Sequence, residues 1–142
     1  MARNDAFIAV PPDRVYELLC DPDSYGHWVV GSRSIRDADP GFPAVGTRFH
    51  HTVGVGPVAT RDHTRVLAAT PGRELVLRAR ALPFGVAKVT LRLQPEGSGT
   101  RMTMVEDPAS AVVKVLIGPF GHLAIRLRNV ESLRRLKRLA ES

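Results

Sequence analysis

The chain has one cysteine, Cys20, in 142 residues. A lone thiol excludes an internal disulfide and a cysteine-based metal cluster, and a cytoplasmic setting is the default expectation. Aromatic residues are few, with one Trp, two Tyr and five Phe. Few rings are therefore on offer for stacking bases, and helix-turn-helix and zinc-finger patterns are missing, so no nucleic-acid partner is expected. No apolar run approaches the ~20 residues of a membrane-spanning helix. Arg3 and Asp5 precede only a short segment, Phe7-Ile8-Ala9-Val10, so a secretory signal is not expected. The glycines near 54–56 and 97–99 lack the Gly-Lys-Ser/Thr continuation that cradles phosphate, and there is no nucleophile elbow. The five histidines share no metal-binding spacing, so neither a metal nor another cofactor is expected.

What is present is an ordinary globular composition, with 44% hydrophobic and 24% charged residues. That length is most simply one domain, residues 1–142, large enough to bury a substantial core. The net charge of +6 is unevenly placed. Residues 1–60 carry −2, residues 61–119 carry +4, and the last 23 residues carry +4. A basic terminal helix can serve as a solvated face that complements the negative end of its own dipole, or it can meet an anionic membrane.

Proline and glycine punctuate the chain at strand intervals. A first strand ends at Phe7–Val10, and Pro11-Pro12-Asp13 then opens a helix carrying Val15, Leu18 and Leu19. Asp21-Pro22 breaks that helix, and a second short turn runs to Trp28. Cys20, beside the break, reads as a small buried hydrophobe. Strands are expected over Val29–Asp37, Thr47–Val55, Val58–Ala69, Arg73–Ala81, Val86–Leu93 and Thr100–Glu106, making seven with the first. Their short connections favour antiparallel neighbours.

Alternation assigns Phe49, His51, Val53 and Val55 to one face and Arg48, His50 and Thr52 to the other. Leu75, Leu77 and Ala79 likewise oppose Val76, Arg78 and Arg80, and Ala87, Val89, Leu91 and Leu93 oppose Lys88, Thr90 and Arg92. Met102, Met104 and Glu106 oppose Arg101 and Thr103. One covered and one wet face follow. The chain closes on a helical region that Gly118-Pro119 is expected to divide, followed by an apolar stripe of Leu123, Leu127, Val130, Leu133, Leu136 and Ala140. A single helix after so much strand must cover the concave face of the sheet.

Several features resemble the SRPBCC superfamily, the START-like and polyketide cyclase/dehydrase-like group. These are Val10-Pro11-Pro12-Asp13-Arg14-Val15-Tyr16-Glu17-Leu18-Leu19 followed by Asp21-Pro22, Tyr25 and Trp28, then Val45-Gly46-Thr47, Gly99-Thr100-Arg101 and the closing run Arg128-Asn129 to Glu141. The resemblance covers nearly the whole chain. It implies an α+β helix-grip fold: a seven-stranded antiparallel sheet wrapped around a long C-terminal helix, with two short helices after the first strand. It also implies a deep apolar cavity. The mouth would lie among Val55, Pro57, Leu82, Pro83, Phe84 and Val112–Ile117, where apolar residues form either a ligand portal or mutual packing.

Within such a cavity the expected ligand-binding residues are Trp28, Phe49, His51, Val53, Leu77, Ala79, Val89, Leu91, Met102, Met104, Leu116, Phe120 and Leu123. His51 and Glu106 are the polar groups expected on the concave face. Such a pair can move a proton in a cyclisation or dehydration, or it can hydrogen-bond a neighbour, a water or a ligand. Trp28 and Tyr25 either cover one end of the cavity or pack the second helix on the sheet. Met102 and Met104 suit an adaptable wall or an ordinary core. Two main readings result: a binding protein for a hydrophobic or amphipathic small molecule such as a lipid or polyketide-like metabolite, or an aromatase/cyclase or dehydratase. A membrane-surface or regulatory module is the weaker third, and the sequence leaves the oligomeric state open.

Overall fold

The computed structural model describes residues 2–30, 32–55, 58–81, 85–108 and 111–142, with backbone only at 33, 36, 53–55, 58–60, 81, 85 and 111–122. Seven strands are present: β1 Ala2–Ile8, β2 Ser32–Ala38, β3 Arg48–Val55, β4 Val58–Thr70, β5 Glu74–Ala81, β6 Gly85–Glu96 and β7 Gly99–Pro108. They form one antiparallel sheet in the order β1-β7-β6-β5-β4-β3-β2. Helices α1 Pro12–Cys20 and α2 Tyr25–Trp28 follow the first strand, joined by a 3₁₀ turn at Pro22–Ser24, and α3 Ala111–Glu141 closes the chain. This is the α+β helix-grip architecture that the family resemblance implies.

Local chemistry explains the joints. Pro12 stands in the first turn of α1, where its missing N–H would have no helical partner. The break after α1 is stitched by Ser24, whose hydroxyl reaches the carbonyls of Leu18 at 2.6 Å and Asp21 at 2.8 Å. Tyr25 adds a 2.7 Å bond from its hydroxyl to the Leu19 carbonyl. Between β6 and β7, Gly97 adopts φ 58°, open to glycine at little cost. A Cβ at Gly99 would come within 2.6 Å of the Ile8 carbonyl, so a side chain there would push β1 off the sheet.

The core joins the concave face to α1 and the end of α3: Ile8, Val15, Leu19, Leu75, Leu91, Met102, Leu133 and Leu136 are fully or almost fully buried. The alternation expected for β3, β5, β6 and β7 holds where side chains are described, with one departure. Val76 is buried although it falls on the outward-facing set.

Three expectations need correction. The helix runs without interruption through Gly118-Pro119. One proline removes a single rung from a 31-residue ladder, and the rungs on either side carry the helix across. The strand expected from Val29 begins only at Ser32, because Val29 caps α2, its N–H bonding the Tyr25 carbonyl. The apolar stripe of α3 is only half buried: Leu133, Leu136 and Ala140 face the core, while Leu123, Leu127 and Val130 are 52%, 61% and 46% exposed. The inward face instead reads Ile125, Asn129, Ser132, Leu136 and Ala140, a spacing of three and four residues with polar groups in its middle.

Candidate functional site: an internal cavity with polar stations

Between the sheet and α3 lies a cavity of about 420 Å³. That volume falls within the usual size of small-molecule sites. Every strand from β3 to β7 contributes, because inward side chains recur at every second residue. Phe49 and His51 come from β3, Thr64 from β4, Leu77 and Ala79 from β5, Val89 and Leu91 from β6, and Met104 and Glu106 from β7. Tyr25 and Trp28 of α2 close one end, and Ile125, Arg128, Asn129 and Ser132 of α3 form the lid. The closed end is aromatic: Tyr25 stacks on Phe49 at 4.8 Å and on Trp28 at 5.2 Å, with Phe42 edge-on to Phe49 at 5.4 Å. Burial pushes the Tyr25 hydroxyl well above its ordinary pKa, so it stays a neutral donor.

Two polar stations interrupt this wall. On β3 and β4, His51 Nε2 and Thr64 Oγ1 share a 3.0 Å hydrogen bond, with both residues 4% exposed. On β7 and α3, the Arg128 guanidinium is paired with the buried Glu106 carboxylate and also donates to Asn129 Oδ1 at 3.3 and 3.4 Å. Three strands separate His51 from Glu106 in the sheet order, and each holds another residue.

Two buried donors have no hydrogen-bond partner among the described residues: Trp28 Nε1 and Asn129 Nδ2. Buried polar groups are nearly always paired, so each marks a place where an acceptor atom would gain most. Arg128 holds the Asn129 amide by its oxygen, which leaves the NH₂ as the group in search of an acceptor. Ser132 is spoken for in part, its hydroxyl accepting from Val30 N–H at 3.0 Å and tying the end of α2 to α3.

Eight of the expected binding residues line the cavity, Trp28, Phe49, His51, Leu77, Ala79, Val89, Leu91 and Met104, and Glu106 of the expected catalytic pair lines it with them. Met102 is instead solid core at 0% exposure, and Leu123 sits on the solvent side of α3. The side chains of Val53, Leu116 and Phe120 lie outside the described residues, as do those of the expected mouth at Val55, Pro57, Leu82, Pro83, Phe84 and Val112–Ile117. Sequence reasoning missed Thr64, Arg128, Asn129 and Ser132. A signal was available, since Ile125, Asn129, Ser132, Leu136 and Ala140 recur at helical spacing.

Cys20 is half-buried, and burial followed by the nearby Glu17 pushes its thiol up, which keeps it protonated and unreactive. Among the described residues no three His, Cys, Asp or Glu are grouped to hold a metal ion. No described helix is long and apolar enough to cross a membrane.

Comparison with solved structures places this geometry among known relatives of the fold. A protein designated CV1439 from Chromobacterium violaceum is similar over 99% of this chain and 96% of its own, at 21% identity and a TM-score of 0.74. Ara h 8.0201 matches over 97% and 95% at 11% identity and a TM-score of 0.73. DynU16, a protein of the dynemicin biosynthetic locus, matches 99% of this chain but 47% of its own length, at 16% identity and a TM-score of 0.68. A search of curated proteins found no match. The family model described as polyketide cyclase / dehydrase and lipid transport matches residues 2–141. With the sheet, the gripping helix and the hollow between them all in place, the chain belongs to the polyketide cyclase / dehydrase and lipid transport family.

Proposed function

We propose that this protein binds a hydrophobic or amphipathic small molecule, lipid or polyketide-like, whose apolar body fills the cavity and whose oxygen-bearing end meets Asn129 and Trp28. The observation that carries this reading is the pair of buried, unpartnered donors on an otherwise largely apolar wall. Covering about 300 Å² of apolar ligand surface gives a gross gain of roughly 7 kcal/mol. Lost translational freedom offsets much of it, which leaves micromolar binding. A cytoplasmic setting is part of the reading.

Native mass spectrometry of protein isolated from its own host tests it. The expected result is a retained small molecule with an apolar skeleton and at least one carbonyl, carboxyl or hydroxyl oxygen. Protein that emerges empty and binds nothing from a broad library of fatty acids, lipids and aromatic polyketones would refute it.

A second reading is supported by the burial of His51 and Glu106 in one cavity: a cyclase or dehydratase in which they handle protons on a bound polyketone. Hydrogen-bonded to Thr64, the imidazole has one nitrogen oriented, as a general base requires. The Glu106 carboxylate is held in place at the cavity wall by the Arg128 guanidinium. His51→Ala is expected to abolish polyketone turnover while ligand affinity changes less than threefold. Undiminished turnover in that variant would remove His51 from the chemistry.

A further inference from the structure

The outward face of the sheet carries a feature the cavity does not use. Register places Arg48, Arg65, Arg78 and Lys88 directly opposite one another on β3, β4, β5 and β6. Four cations thus stand side by side across four strands. Strands lie ~4.8 Å apart, so the row is about 14 Å long. Like charges directly opposite on neighbouring strands destabilise a sheet, so the row is a cost to the fold that calls for a compensating anion.

Its ends are balanced within the chain. Arg48 lies 3.5 Å from Asp39, and Lys88 stands opposite Asp107 on β7. Its middle is not. Arg65 and Arg78 are both exposed, and among the described residues no carboxylate comes within 4.0 Å of either. The adjoining cross-strand pair is His50 and His63, with ring centres 6.1 Å apart.

We infer that this row is a docking surface for an acidic helix of another protein, lying across the strands. An α-helix that places a carboxylate on one face at each turn repeats every ~5.4 Å. The row repeats every ~4.8 Å, and the long Arg and Lys side chains absorb the difference. Three turns of such a helix span the whole row.

Two other classes of polyanion fit less well. Single-stranded nucleic acid wants aromatic rings between the cations, and no Phe, Tyr or Trp stands among residues 58–70 or 74–81 of the two central strands. A membrane surface wants apolar anchors beside the charge, and the outward positions flanking Arg65 and Arg78 supply one exposed large hydrophobe, Leu67. The inference stands apart from what the cavity binds.

The test uses isotope-labelled full-length protein and a capped, Ala-rich 18-residue peptide with glutamates along one helical face. A peptide of the same composition with its glutamates spread around the helix is the control. Phosphatidylserine vesicles and a dT20 oligonucleotide serve as competitors. At 50 mM salt the one-faced peptide is expected to bind at least tenfold tighter than the control. Amide shifts should centre on Arg65 and Arg78, and binding should fall steeply by 300 mM salt.

The double variant R65Q/R78Q should weaken binding at least tenfold, whereas R134Q/R135Q on α3 should leave it unchanged. Equal binding of both peptides, shifts centred on α3, or displacement by vesicles or oligonucleotide at lower charge concentration than the peptide would each overturn the inference. The wild-type shift map decides the matter even if a variant fails to fold.

Discussion

Asn129 and Trp28 each hold an N–H in the protein interior without an acceptor. Replacing Asn129 by Leu keeps the branched outline and removes the orphan N–H. The amide oxygen lost with it makes only long contacts, 3.3 and 3.4 Å, to an Arg128 guanidinium that keeps Glu106. Folding stability should therefore hold or rise, while affinity for an oxygen-bearing ligand falls by about 1–1.5 kcal/mol, roughly tenfold. Trp28→Phe should weaken binding in the same direction. Isothermal titration beside urea unfolding checks both halves of this expectation, and parallel losses in binding and stability would contradict it. His63 sets a different, acid-side expectation. Burial above all, with Arg48, Arg80 and His50, lowers its pKa from 6.5 against the opposing pull of Asp62. The folded protein therefore binds this proton less tightly than the unfolded chain does. That contribution to stability is complete above pH 6.5 and is lost as pH falls through the lowered folded value. His63→Gln should accordingly show a smaller drop in urea midpoint between pH 7.5 and pH 5 than the parent.

The gripping helix shows what could and could not be read from one chain. Seven strands were legible because Pro and Gly interrupt the sequence at strand intervals and period-two alternation marks the faces. The inward face of α3 was legible only after residue 130, where Leu133, Leu136 and Ala140 leave no competing choice. Before it, Leu123-Leu127-Val130 and Ile125-Asn129-Ser132 are both helical stripes. Hydrophobicity favours the first, and the hollow takes the second because its lid carries polar groups. Long-range partners such as Thr64 for His51 were not legible either, since strand register decides them. The two stripes differ in mutational cost. Leu136→Ala should lose about 2–5 kcal/mol in urea unfolding, as cavity-creating changes at buried leucines do. Leu127→Ala, at an exposed position, should stay within about 0.5 kcal/mol of the parent.

An occupied hollow stabilises the entire molecule by mass action: a ligand at 100 times its Kd adds about 2.7 kcal/mol and raises Tm by several degrees. Differential scanning fluorimetry across a ligand concentration series reads this directly, and Tm should keep rising with the logarithm of free ligand above Kd. The same molecule ties its two ends together. β1 pairs with β7 from Ala2 against Glu106 to Ile8 against Thr100, Asn4 donates to the Arg126 carbonyl, and Ala9 N–H is held by Glu141 at 2.7 Å. A nascent chain thus has no mate for its first strand until β7 has emerged from the ribosome. Nothing roofs the hollow until α3 follows. Apolar cargo cannot be enclosed during early translation, and filling belongs to the finished polypeptide.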